Sequence, residues 1–83
     1  MEIHYTYKAV VDLERLPHSL QKRIATKMRF FASQEDPLEF AEHLTDRREG
    51  QFRFRVGDYR IIFDVISDAI FVLKIGRRDA VYE

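Results

Sequence analysis

The stretch QFRFRVGDYRIIFDV, residues 51–65, decides the fold of this 83-residue chain. Phe52 and Phe54 alternate with two arginines, and such a period of two is typical of a strand whose two faces differ. The Gly-Asp dipeptide at positions 57–58 is a tight-turn signal, and residues 59–65 supply a return strand. The stretch therefore predicts a β-hairpin with one apolar face and one face that carries arginines.

Two further strands are predicted on either side of this hairpin along the chain. Residues 70–75, IFVLKI, follow a Ser-Asp turn and form a more continuously apolar strand. Residues 2–9, EIHYTYKA, alternate between apolar and polar side chains, as in a half-buried strand. The C-terminal half is thus expected to be a three-stranded antiparallel meander, with one more strand at the N-terminus.

Two helices are predicted between the first strand and the hairpin. Apolar residues recur every three positions in residues 10–16, until Pro17 ends this short helix, because proline lacks a backbone N–H. Residues 19–32 have apolar side chains at helical spacing, and Ser19 is expected to cap this second helix. Residues 37–43 are expected to form a turn of helix before a loop that ends near Gly50.

This order of elements predicts the fold class α+β. Two helices that cover one face of a mainly antiparallel sheet give a two-layer sandwich. A chain of 83 residues fits one domain, and we expect residues 1–83 to form a single one.

Charge is sorted along the chain although its sum is zero, with 14 Lys and Arg against 14 Asp and Glu. A typical nucleic-acid-binding domain is more basic. However, residues 47–60 contain five arginines and two acids, and residues 74–78 contain three basic residues and no acid. Residues 34–42 contain four acids and no lysine or arginine. A local basic surface is therefore expected in the C-terminal half.

The composition also excludes several kinds of chemistry. The chain has no cysteine, which excludes disulfides, thiolate metal sites and cysteine nucleophiles. Its three histidines have no metal-ligand spacing, so we expect no metal and no cofactor. No signal-peptide pattern and no apolar run of about 18 residues is present. We therefore expect a cytoplasmic protein without a membrane partner.

The strand pattern predicts where the arginines lie. If the two phenylalanines of the first hairpin strand face the helices, the arginines between them project from the opposite face. Antiparallel pairing brings further arginines to the same end of the sheet; the full set is Arg53, Arg55, Arg60, Arg77 and Arg78. Several guanidinium groups at one place form a site of the size of a phosphate. A solvated face whose arginines block edge association is an equally open interpretation.

Two segments resemble toxins of the RelE/ParE superfamily. FRVGDYRIIF, residues 54–63, is similar to their central hairpin signature, and KIGRRDAVY, residues 74–82, resembles their C-terminal motif. The resemblance covers nearly the whole chain and is most specific from residue 51 onward. The predicted order of strands and helices also matches the RelE-like fold.

The resemblance implies a toxin of a type II toxin–antitoxin system. RelE-type members are mRNA endoribonucleases that act in the ribosomal A site and are held inactive by an antitoxin. Their reaction needs no metal: the ribose 2′-OH attacks the adjacent phosphate, the 5′-oxygen leaves, and a cyclic phosphate results. It requires a base, an acid and positive charge around the phosphate. The expected partners are a cognate antitoxin, mRNA and the ribosome.

The resemblance also implies roles for particular residues. Arg60 and Arg78 fall at phosphate-contacting positions, and Tyr82 matches a terminal tyrosine that stacks on a base or assists proton transfer. Glu42 falls near a glutamate of YoeB-like members and is the candidate general base. The alternative is that Glu42 and its neighbour His43 are ordinary polar residues of a loop. The expected RNA-binding residues are Arg53, Arg55, Arg77, Lys74, Arg47 and Arg48.

Two other functions remain open from the sequence. A ParE-like member would inhibit DNA gyrase without nuclease chemistry, and a degenerate toxin would only bind its antitoxin and operator DNA. Arg47 and Arg48 are equally compatible with contacts to rRNA, contacts to an acidic antitoxin segment, or a solvated loop. The fold by itself does not decide among these functions.

Overall fold

The computed structural model describes residues 1–78. Within this range the elements follow in the order β1 (Glu2–Tyr5), α1 (Tyr7–Glu14), α2 (His18–Ser33), a 3₁₀ helix (Pro37–Phe40), β2 (Glu42–His43), β3 (Phe52–Val56), β4 (Tyr59–Ile66) and β5 (Ala69–Arg77). This order confirms the α+β class, with an N-terminal strand, two helices and an antiparallel meander. None of the helices in the described range is long and apolar enough to cross a membrane.

The five strands found in residues 1–78 form one sheet in the order β1-β5-β4-β3-β2. β2 to β5 pair antiparallel with their neighbours, whereas β1 lies parallel to β5. Two-residue turns join β3 to β4 and β4 to β5. Gly57 opens the first turn with a φ of 58°, a left-handed conformation that glycine adopts without the steric strain of a Cβ.

The hydrophobic core lies between α2 and one face of the sheet. Phe54 stacks on Phe31 of α2 and on Phe63 of β4, with 4.3 Å between ring centroids in both pairs. Ile24 and Met28 of α2 are fully buried in the same cluster. Full burial of one such side chain contributes about 1.5–3 kcal/mol, so this cluster holds helix and sheet together.

Beyond the end of β1, side chains of Thr6 and of α1 provide hydrogen-bond partners for the backbone of β5. β1 pairs with β5 only as far as Val72. Beyond it, the Thr6 hydroxyl donates to the Leu73 carbonyl at 3.3 Å, and a carboxylate oxygen of Asp12 accepts the Ile75 N–H at 3.0 Å. Asp12 is buried, and its other oxygen pairs with Lys8. Side chains of α1 thus replace a strand as partner of β5, close to the end of the sheet that carries Gly76, Arg77 and Arg78.

Four boundary predictions were wrong. The first strand ends at Tyr5 and not at residue 9, because the Thr6 side chain accepts the Ala9 N–H and caps α1. The first helix therefore spans Tyr7–Glu14 and not residues 10–16. Ser19 is not a cap, since α2 begins at His18 after Pro17, whose fixed φ suits a helix start. In residues 37–43, helical structure stops at Phe40, and Glu42–His43 is a strand.

Candidate functional site: an arginine cluster on the outer face of the sheet

Cross-strand pairing gathers basic residues on the sheet face that points away from the helices, here called the outer face. Arg55 pairs with Arg60, and Arg53 pairs with both Ile62 of β4 and Glu42 of β2. Residues directly opposite each other in a ladder share a face. The phenylalanines that alternate with these arginines face α2, so the predicted division of β3 into an apolar and an arginine-bearing face is confirmed.

Glu42 joins two of these arginines. Its carboxylate accepts hydrogen bonds from Arg53 at 2.8 Å and from Arg55 at 3.4 Å. The Arg53 side chain is only 12% exposed, whereas those of Glu42 and Arg55 are 45% and 57% exposed. The hydrogen bond from Arg53, followed by the charges of Arg53, Arg55 and Arg60, lowers the pKa of Glu42. Glu42 is therefore ionised and a weak base.

Arg60 is the buried member of the group, with 2% of its surface exposed. Within residues 1–78 it forms no ion pair, and its Nε atom has no hydrogen-bond partner. Burial lowers the pKa of Arg60, and repulsion from Arg55, Arg53 and Arg78 lowers it further, against the attraction of Glu42. A buried charge without a directly bonded anion destabilises the fold unless something else compensates it.

Arg78 joins the group from the end of β5. Its backbone N–H donates to the Asp58 carbonyl at 2.9 Å, which ties the chain after β5 to the β3–β4 turn. Arg78 is exposed, and repulsion from its positive charge contributes to the lowered pKa of Arg60. We call Arg53, Arg55, Arg60 and Arg78, together with Glu42, the arginine cluster. Such an array of guanidinium groups can bind a phosphate through charge-assisted, forked hydrogen bonds.

Four other residues expected at the site, Arg77, Lys74, Arg47 and Arg48, lie outside the arginine cluster. Arg77 pairs with Tyr59, so alternation along β5 directs it to the helix side of the sheet. Lys74 is on the outer face, but its ammonium group bonds to Glu49 at 3.2 Å. Arg47 and Arg48 are exposed in the loop after β2, where Arg48 pairs with Asp46 at 2.7 Å. Tyr82 lies outside the described residues.

His43 points away from the cluster, although it directly follows Glu42. It pairs with Phe52 in the β2–β3 ladder, and the two rings are in edge contact at 4.8 Å. Neighbouring residues of a strand project to opposite faces. His43 therefore does not share the position of Glu42 as a candidate base.

The β2–β3 loop covers the middle of the outer face. A Cβ on Gly50 would lie 2.7 Å from a methyl group of Ile62, so the loop backbone packs directly on β4. Gln51 fixes this arrangement: its N–H donates to Asp64 at 2.9 Å, and its side-chain oxygen accepts the Val65 N–H at 3.0 Å. The arginine cluster is thereby confined to the end of the sheet that carries the β3–β4 turn.

Phe71 lies outside the hydrophobic core, although it belongs to an apolar run of β5. It pairs with Asp64 and His4, and its ring stacks on that of His4 at 4.8 Å on the outer face. Phe63, by contrast, is fully buried, and Tyr59 packs against the core. A β-bulge at Leu73 shifts the β4–β5 register, because Ile62 pairs with Lys74 and Phe63 with Val72; the sequence pattern does not reveal it.

Two features were missed from the sequence. Asp12 gave no signal, because its bond to β5 depends on how α1 packs. The second feature is the set of cations on α2, which the sequence showed only as residues outside the apolar stripe of that helix: Lys22, Arg23, Lys27 and Arg29. In residues 1–78, no three His, Asp or Glu side chains lie close enough together to hold a metal ion.

Comparison with known proteins gives a family and a fold. The sequence profile of a family described as the ParE toxin of type II toxin–antitoxin systems, parDE, matches residues 3–82. A chain of the toxin–antitoxin complex RelBE2 from Mycobacterium tuberculosis has a similar structure, with a TM-score of 0.75 and 23% identity over 93% of this chain and 96% of that one. A chain of the RelB–RelE antitoxin–toxin complex from Methanococcus jannaschii has a TM-score of 0.73 and 22% identity, over 95% and 94%. No curated protein sequence matches the chain.

Proposed function

The chain belongs to the ParE toxin family of type II toxin–antitoxin systems, within the RelE/ParE superfamily, and on this premise we propose that it is an mRNA endoribonuclease that acts on the ribosome. The observation that carries the proposal is the burial of Arg60 among other arginines, with no ion pair to an acid of residues 1–78. A fold gains no stability from such an arrangement, whereas an anionic substrate would be attracted to it.

The cluster fits the charge requirement of a metal-independent phosphodiester cleavage. The 2′-oxygen forms a bond to phosphorus, the bond from phosphorus to the 5′-oxygen breaks, and a 2′,3′-cyclic phosphate remains. The proton of the 2′-OH passes to a base, and the 5′-oxygen receives a proton. Negative charge accumulates on the phosphate oxygens, and pre-positioned donors that stabilise such charge contribute about 10²–10³ in rate each.

We assign the residues by their exposure. Arg55 and Arg78 are exposed and would contact the phosphate directly. Arg60 lies buried next to them and would act as a fixed positive charge in a site of low dielectric constant. The lowered pKa of Glu42 makes it a poor acceptor for the 2′-OH proton, so we do not assign it as the base. Its role would be to hold Arg53 and Arg55 in place. Tyr82 keeps its sequence-based role as a residue that stacks on a base or assists proton transfer.

A cognate antitoxin is the partner proposed for regulation. Both similar structures are toxin–antitoxin complexes by their descriptions. An amphipathic, acidic segment laid over the outer face would neutralise the arginine cluster and block access to it. A complex that left Arg55 and Arg78 exposed while suppressing the toxin would contradict this part of the proposal.

Inhibition of DNA gyrase is the second candidate function. It is favoured by the description of the matching family as the ParE toxin. The weak basicity of Glu42 also favours it, since a nuclease needs a proton acceptor for the 2′-OH. A degenerate toxin that only binds its antitoxin and operator DNA is a third outcome of the experiment below.

Primer extension on cellular mRNA after brief induction separates these functions. We expect new breaks within reading frames for the wild-type chain and their loss in the double variant R60A/R78A. The control R15Q removes an exposed cation at the C-terminal end of α1, away from the arginine cluster, and should cut like the wild type. Growth arrest with intact mRNA would contradict the nuclease proposal and indicate gyrase as the target. Soluble protein that causes neither growth arrest nor mRNA breaks would indicate the degenerate toxin.

A further inference from the structure

Helix α2 has a strongly cationic exposed face. Residues His18–Ser33 contain Lys22, Arg23, Lys27 and Arg29, all exposed, and no acidic residue. The whole chain is balanced in charge, so this excess is local. As far as the structure describes the chain, none of these four cations forms an ion pair. A solvated helix face more commonly carries charges of both signs.

The cations form two rows along the helix. With 3.6 residues per turn, Lys22 and Arg29 lie in one row, Arg23 and Lys27 lie in another, and the rows are roughly 130° apart around the axis. The exposed hydroxyl groups of α2 lie between the rows; they belong to Ser19, Thr26 and Ser33. Thr26 accepts a hydrogen bond from Arg29 at 3.3 Å. The exposed Phe30 ring also lies between the rows, with the Lys27 ammonium 5.6 Å from its centroid, so the face presents hydroxyl groups and one aromatic ring flanked by positive charge.

Arg23 connects this face to the end of the sheet that carries the arginine cluster. Its guanidinium nitrogens lie 3.3 Å from the position that a Cβ on Gly57 would occupy, so Arg23 packs against the β3–β4 turn. Arg55 and Arg60 flank the same turn on the outer face. Positive charge is therefore found on both sides of the β3–β4 hairpin.

We propose that the exposed face of α2 is a second RNA-binding surface, which contacts the backbone of an RNA duplex separately from the arginine cluster. Proteins recognise double-stranded RNA mainly by shape, through phosphates and 2′-hydroxyls across its shallow minor groove. The two rows of cations provide phosphate contacts, and the hydroxyl groups between them match the 2′-hydroxyls. The choice of RNA over DNA rests on the proposed function, since a toxin directed at ribosomes meets structured RNA.

The test measures binding of a fluorescein-labelled RNA duplex of about 16 base pairs by fluorescence anisotropy. Two double variants, K22Q/R29Q and R23Q/K27Q, each remove one row of cations. R15Q removes an exposed charge at the C-terminal end of α1 and is the control. Thermal unfolding followed by circular dichroism shows whether each variant is folded, and the exposure of all the mutated side chains predicts that it is.

Each α2 variant is expected to raise the dissociation constant on the order of tenfold and to reduce the slope of log affinity against log salt by about 2, one per lost phosphate contact. The control should leave both quantities unchanged. Folded α2 variants that bind like the wild type would overturn the proposal. A DNA duplex of the same sequence bound as tightly as the RNA would overturn the assignment to RNA.

The same binding assay on R60A/R78A separates this proposal from the nuclease. Retained duplex binding by that variant is expected, because the arginine cluster lies on the other side of the sheet. Loss of duplex binding in R60A/R78A together with normal binding by the α2 variants would assign RNA contact to the cluster alone. If mRNA is not cut but duplex binding still depends on α2, the nuclease proposal fails and the α2 surface stands.

Discussion

Arg55 and Arg60 lie directly opposite each other on neighbouring strands, on the same face of the sheet. Like charges in this relation are destabilising, and Arg60 is also buried. Glu42 offsets part of the repulsion through its bond to Arg55, but no ion pair reaches Arg60 from residues 1–78. Stability within residues 1–78 therefore does not account for the pair, and this is the observation behind our proposal that it binds an anion.

Arg60→Met is expected to stabilise the fold while it abolishes mRNA cleavage. Methionine keeps most of the apolar volume and removes a buried charge, which should raise the free energy of unfolding by about 1 kcal/mol. For a domain of this size the melting temperature rises by about 4–8 °C, measured by circular dichroism. Arg47→Met in the exposed loop is the control and should leave the melting temperature unchanged. A lower melting temperature for Arg60→Met would mean that Arg60 stabilises the fold.

The ion pairs of Glu42 should make a small contribution to stability that disappears in acid. The pKa of Glu42 is lower in the folded chain than in the unfolded chain. Its contribution is therefore fully present above the unfolded value, about 4.3, and is lost as the pH falls through the folded value. Because solvent screens this exposed carboxylate, Glu42→Gln should lower the free energy of unfolding by less than about 1 kcal/mol at pH 7.

Urea denaturation of the wild type and Glu42→Gln between pH 7 and pH 3 checks this prediction. The difference in stability between the two proteins should shrink as the pH falls, because protonation of the wild-type carboxyl group removes its charge. A difference that stays constant down to pH 3 would show that the charge of Glu42 does not act on stability. In a cleavage assay, a loss above about 100-fold in Glu42→Gln would instead identify Glu42 as the general base.

Asp12→Ala is expected to lower the free energy of unfolding more than an alanine substitution at an exposed position of the same helix. The change leaves the buried Ile75 N–H without its acceptor, at a cost of about 1–3 kcal/mol. Asp12→Asn keeps an acceptor oxygen and should lose less. Glu14→Ala is the exposed control on the same helix. Urea denaturation ranks the three variants, and equal stability of Asp12→Ala and Glu14→Ala would refute a role for the bond to β5.

The sequence was sufficient for the parts of the fold that repeat a pattern. Alternation in residues 52–56 predicted both the β3–β4 hairpin and the outward direction of Arg53 and Arg55. β2 was not predicted, because two residues are too few to show a period. The early end of β1 depends on one side-chain bond of Thr6, which the alternation pattern concealed.

The candidate site was predictable only in outline. The sequence brings Arg60, Arg77 and Arg78 to one end of the sheet, but neighbouring residues of a strand face opposite ways, and Arg77 lies on the helix side. The burial of Arg60 could not be predicted, since alternation along a strand gives the face on which a side chain lies but not how far it is covered. The ion pairs of Glu42 likewise require the short strand β2 to align with β3.

One measurement tests the central claim most directly: purified chain is added in parallel to ribosomes programmed with a defined mRNA and to DNA gyrase with relaxed plasmid. We predict cleavage of the mRNA in the A-site codon, a 2′,3′-cyclic phosphate on the upstream fragment, and normal supercoiling by gyrase. A 2′-deoxy nucleotide at the cleavage position should prevent cutting, because the attacking hydroxyl is absent. Intact mRNA together with inhibited supercoiling would contradict the nuclease and establish gyrase as the target.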